Sequence, residues 1–97
     1  IDGLVAEAAA AGVPFEAQRR GTMWGYFCTA QPVRDFATAA AGDNPVWLRW
    51  CTAMLAAGIN LAPSPYEAAF WSSAHGEDDL DRTLAAARAA FRACRQD

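Results

Sequence analysis

Glu67 is the residue of this 97-residue chain whose neighbours best equip it for chemistry. It follows Ala62-Pro63-Ser64-Pro65, where two prolines stiffen the backbone, and it precedes the apolar run Ala68-Ala69-Phe70-Trp71. A rigid loop that presents a polar group at a sheet edge is a common way to build part of a site. Two environments are open to this carboxylate. At a sheet rim it is a solvated charge. Facing a covered site, it needs an arginine partner or a raised pKa.

The other reactive residue types read as structural. His75 is the single histidine, and it stands just before a helix, where capping and packing are its ordinary uses. No second histidine, cysteine pair or carboxylate stands beside it at metal-ligand spacing. Cys28, Cys51 and Cys94 are far apart and odd in number, which fits free, mostly buried thiols in a reducing compartment. Ser72 and Ser73 lie outside any G-x-S-x-G pattern. Gly21 and Gly25 lack the spacing of a phosphate-binding loop. Glu77, Asp78 and Asp79 read as the negative first turn of a helix.

Those residues must be positioned by a short series of elements. Residues 1–11 carry Leu4, Val5 and Ala8 at helical spacing, and Gly12 and Pro14 stop the helix. Residues 15–20 alternate as a half-buried strand; residues 23–28 read as a second. Only Gly21-Thr22 separates them, which predicts an antiparallel hairpin. Residues 33–41 are a weak helical stretch closed by Gly42. Asp43 or Asn44 then caps a stronger helix that runs to Gly58, with Pro45 in its first turn. Its stripe is Trp47, Trp50, Cys51, Met54 and Leu55. Residues 59–61 and 67–73 read as strands on either side of the proline loop. The last helix spans about 77–95, with its seam at Leu80, Leu84, Ala87, Phe91 and Cys94 and arginines toward its end. The fold class is therefore α+β: one small antiparallel sheet with helices packed on one face.

Composition bounds the function. The length is that of one small domain. Hydrophobic residues make up 54 %, with four tryptophans and five phenylalanines, more large rings than so small an interior readily holds. Some are expected on a surface that another domain or subunit covers. The net charge is −3, and all eight basic residues are arginines, scattered rather than gathered on one face. That excludes an electrostatic footprint for nucleic acid. No apolar run is long enough to cross a membrane. The chain opens at Ile1 within an alanine-rich helical stretch, which is expected of a piece of a longer polypeptide.

The order of motifs resembles one family along nearly the whole chain. Residues 58–83, GINLAPSPYEAAFWSSAHGEDDLDRT, resemble the closing stretch of the glutamate-1-semialdehyde aminomutases, whose pattern is G-apolar-x-L-A-P-S-x-x-E-A and then S-x-A-H. Upstream, RRGTMWGYFCTAQPV is similar to their R-x-G-S-M-x-x-x-F-F strand pair, and AMLAAG to the helix end before their loop. Thr22 stands where serine is usual, Cys28 where an aromatic is common, and Gly76 where threonine is frequent.

The resemblance implies that residues 1–97 are the single C-terminal small domain of a fold-type-I enzyme that binds pyridoxal phosphate. Such enzymes are cytoplasmic homodimers that turn glutamate-1-semialdehyde into 5-aminolevulinate for tetrapyrrole synthesis. It implies that the Schiff-base lysine, phosphate cup and pyridinium-facing aspartate lie in an N-terminal large domain outside this chain. No cofactor is then expected on the chain alone. In the family the glutamate of APSxxEA approaches an arginine that holds the substrate carboxylate. Carried over, that residue is Glu67, with Pro63 and Ser64 shaping its loop. Two other readings remain: the small domain of another class III aminotransferase, and a free-standing α+β interaction module without chemistry.

Overall fold

The structure is a computed structural model that describes residues 1–95. Helix α1, Asp2–Ala11, ends because Gly12 takes φ +74°. The Val13 N–H then bonds back to Ala8 O at 3.0 Å, a left-handed cap that a residue with a Cβ makes only under strain. Strands β1, Glu16–Arg20, and β2, Met23–Phe27, pair antiparallel, with Ala17 opposite Tyr26 and Arg20 opposite Met23. Gly21, the first turn residue, has φ +58°, while Thr22 does not enter the left-handed region. A two-residue hairpin whose first central residue alone is left-handed matches the twist of its strands.

Helix α2 is one short turn, Phe36–Ala40, capped by Asp35, whose Oδ1 accepts the Thr38 N–H at 2.9 Å. Helix α3, Asn44–Ala56, is capped by the Asp43 carboxylate, which accepts the Val46 N–H at 3.0 Å. Strand β3 is only Ala69–Phe70, antiparallel to the free edge of β2. Helix α4 runs Glu77–Cys94, with Glu77, Asp78 and Asp79 in its first turn. The sheet order is β1-β2-β3, and α4 packs against both α1 and α3.

An aromatic cluster joins the layers. Trp50 and Phe91 stack at 4.9 Å, Tyr26 meets the Trp50 ring edge-on at 5.0 Å, and Phe15 stacks on Tyr26 at 5.5 Å. Trp50, Met54 and Phe91 are the largest fully buried side chains. The Tyr26 hydroxyl and the indole N–H groups of Trp47 and Trp50 are buried without a hydrogen-bond partner among the described residues. Burial pushes the Tyr26 pKa up.

Three expectations are corrected. Residues 59–61 form no strand among the described residues. Both edges of β2 are already taken, and the Ile59 N–H is spent on Met54 O at the end of α3, 2.9 Å away. Ile59 and Leu61 pack against the core instead, so their apolar pattern reported burial rather than a ladder. The strand expected over 67–73 shrinks to two residues, because turns occupy both its ends. The large rings do divide between interior and surface, with Trp47 and Trp50 in the core and Phe36 and Phe70 exposed. Both helical stripes are narrower than expected, with Leu55 and Leu80 in solvent and Cys51 half-buried.

Candidate functional site

The sheet has two unlike faces. Toward the helices it presents Ala17, Trp24 and Tyr26, all in the core or packed against it. Opposite partners share a face, so Gln18, Arg20, Met23, Gly25, Phe27 and Phe70 belong to the other side. On that side Phe70 is 65 % exposed, and the Gln18 amide donates to the Val33 carbonyl in the segment leading into α2.

Over this face lies the loop that carries Glu67. Ser64 organises it: its Oγ accepts the Tyr66 N–H at 3.0 Å, and its carbonyl accepts the Glu67 N–H at 3.3 Å. The ring of Tyr66 packs on Phe36 at 5.4 Å, which ties the loop to α2. The loop and hairpin enclose an open cleft of about 590 Å³, lined by Gln18, Arg19, Arg20, Tyr66 and Glu67 among others. Glu67 is exposed, on a turn before β3 rather than in a strand. Gly25 lines the same cleft, and a Cβ there would meet nothing within 4 Å, so the floor is unfilled.

The structure thus separates residues that the sequence groups together. Glu67 faces the hairpin cleft, whereas Pro63 lines a neighbouring one of about 490 Å³ with Asn60 and Phe70. Ser64 acts through the turn it closes. Conversely, Arg20 joins Glu67 at one cleft, while Arg19 borders both this cleft and the one on the helix side, and no motif marks either as a site residue. The hairpin register was the available signal: an alternating strand puts Gln18 and Arg20 on one face. A cleft with the Glu67 carboxylate and the Arg20 guanidinium is chemically suited to an anion, with the carboxylate competing for the cation when the cleft is empty.

The remaining candidates do no chemistry of this kind. Burial pushes the Cys28 thiol up to about 12, and burial also raises Cys51, so neither is a ready thiolate. Asp79 Oδ2 accepts the Gly76 N–H at 2.8 Å, as a helix start should. No group of three or more potential metal ligands exists among the described residues, nor a helix long and apolar enough to cross a membrane.

No family model matches the chain. Among solved structures, an omega-transaminase from Sphaerobacter thermophilus superposes with a TM-score of 0.76, covering 97 % of this chain and 22 % of that one at 19 % identity. The fold is therefore that of one segment of a transaminase. The sequence makes the kinship narrower. Over 90 residues, 93 % of its length, the chain is 49 % identical to the glutamate-1-semialdehyde 2,1-aminomutase of Desulfosudis oleivorans. It is a homologue of one segment of that aminomutase and spans 21 % of its length.

Proposed function

We propose that this chain is the C-terminal small domain of a pyridoxal-phosphate-dependent aminomutase and forms one wall of its substrate cleft. The observation that carries the reading is the 49 % identity over 93 % of the chain. In this reading the intact enzyme is a cytoplasmic homodimer that shifts the amino group of glutamate-1-semialdehyde to give 5-aminolevulinate, a step toward tetrapyrroles. Glu67 holds an arginine in the empty cleft and yields it to the substrate carboxylate. Ser64 and Pro63 keep the loop in shape.

The residues present do not fit the cofactor itself. Every basic side chain is an arginine, so no side-chain amine exists here to bind pyridoxal phosphate covalently. The cofactor belongs to a lysine-bearing domain on the N-terminal side, and the chain alone is inactive. The transaminase fold also supports a rival, an aminotransferase that exchanges amino groups between two substrates. One experiment separates these. The full-length protein is assayed on glutamate-1-semialdehyde with no second amino acceptor or donor. Formation of 5-aminolevulinate is expected; turnover only with an added amino partner favours the aminotransferase. Borohydride reduction of the 97-residue chain with pyridoxal phosphate should leave no adduct on any side chain.

A further inference from the structure

The turn between β3 and α4 lies apart from the Glu67 cleft and has a specific geometry. One residue beyond β3, the Trp71 N–H donates to Thr22 O at 2.9 Å. The chain then reverses, with the His75 N–H on Ser72 O at 3.0 Å and the Ala74 N–H on Ser72 Oγ at 3.2 Å. Inside this turn the Ser72 N–H donates to His75 Nδ1 at 3.0 Å. Ser72 Oγ lies 3.3 Å from the same nitrogen. The imidazole lies over the Trp71 indole, 4.5 Å between centroids and tilted by 30°.

A backbone N–H can donate only to an Nδ1 that keeps its lone pair. That bond therefore selects one protonation state of three, the neutral ring with its proton on Nε2. Both the Nδ1–H tautomer and the imidazolium put a proton where the Ser72 N–H already points. The ring is exposed, so protons reach it freely. Helix α4 brings Asp79 and Arg82 to the cleft that His75 lines, one charge of each sign. Glu77 and Asp78 follow in the first turn of α4. The other elements at that cleft contribute Trp24, Asn60, Phe70 and Trp71, none charged.

We propose that His75 is a proton-operated latch. Its neutral ring closes the turn and holds Trp71, and with it the end of β3, against the start of α4. Protonation releases the Ser72 N–H to water and changes how the ring sits on the indole, from a neutral contact to a cation–π one. Strand β3 has only two residues, and its far end is held by the Trp71 N–H bond to Thr22 O and by this clasp. His75 is thus a positioning residue for the strand that follows Glu67. The inference rests on this turn alone and stands whether or not the proposed activity is correct.

The test is NMR on the 97-residue chain. Long-range proton–nitrogen spectra at neutral pH should show Nδ1 unprotonated and the proton on Nε2. On acidification from neutral pH, the Ser72 amide should lose exchange protection several-fold, and the Trp71 ring signals should move in step with it. His75→Asn supplies a carbonyl oxygen near the place of Nδ1 but does not titrate, so its protection should stay level with pH. His75→Ala should lack that protection at every pH. A dominant Nδ1–H tautomer, unchanging protection in the native chain, or the same pH dependence in His75→Asn would overturn the latch. If His75→Ala fails to fold, the native chain and His75→Asn still decide the question.

Discussion

The Arg88 guanidinium grips the Glu7 carboxylate with two parallel hydrogen bonds, Nε to Oε2 and Nη2 to Oε1, each 3.0 Å. This fork ties α1 to the middle of α4 across 81 residues of sequence. Its hydrogen bonds hold the Glu7 carboxyl below its ordinary range. A depressed carboxylate stabilises the fold above its unfolded value, and that contribution is lost as pH falls through the folded one. Arg88→Gln should therefore lower Tm slightly at neutral pH and flatten the acid limb of the Tm–pH curve. Arg88 is largely exposed, so added salt should shrink the difference. Thermal melts from pH 7 to about pH 3, with and without salt, check both points.

Removing the ring of a fully buried core residue should be near-lethal to folding. Phe91 touches Phe15 and Trp50 and has no exposed surface. Phe91→Ala should cost about 3–5 kcal/mol, a large part of what so short a domain has. Tyr26→Phe should do the opposite or nothing, because it deletes a buried hydroxyl without a partner among the described residues and keeps the ring. Urea unfolding measures both; a clear loss of stability in Tyr26→Phe would mean that the hydroxyl has a water partner.

Thiol reactivity should be graded by burial. Cys28 and Cys94 are buried, and Cys51 is half-buried. At pH 8 a disulfide reagent should modify Cys51 first and reach Cys28 only at the rate of unfolding, since burial holds that thiol protonated. Peptide mapping of a time course would show the order.

Glu67→Gln should leave the fold intact, because Glu67 is exposed and its loop is shaped by Ser64. If Glu67 lines the substrate cleft proposed above, the change in the full-length protein should weaken substrate affinity or alter the balance of intermediates by about 1–3 kcal/mol, the scale of a charge-assisted hydrogen bond. Steady-state kinetics and spectra that match the unmutated enzyme would reduce Glu67 to a solvated rim charge.

Much of this architecture was readable in residue order. The cap at Gly12, the Gly21-Thr22 hairpin and the span of α4 are local signals, each decided by a few adjacent residues, and the start of α3 was narrowed to Asp43 or Asn44, of which Asp43 is the cap. What was not readable depended on competition between segments. Whether Ile59 pairs in a ladder depends on who else occupies the edges of β2, and β3 took the remaining one. The convergence of Arg20 with Glu67 joins residues more than forty positions apart, and only the closed fold brings them to one cleft.

The two-faced sheet has a consequence for which substitutions the chain tolerates. Along β2, Trp24 and Tyr26 sit in the packed layer, while Met23, Gly25 and Phe27 alternate with them toward the open side. In the chain by itself, selection for folding bears on the even-numbered positions and leaves the odd ones nearly free. If the open side is the wall of an enzyme's cleft, the odd positions answer to a different judge, catalysis. A saturation scan read once for folding and once for activity would then give two interleaved patterns with a period of two residues, one for each face of a single strand.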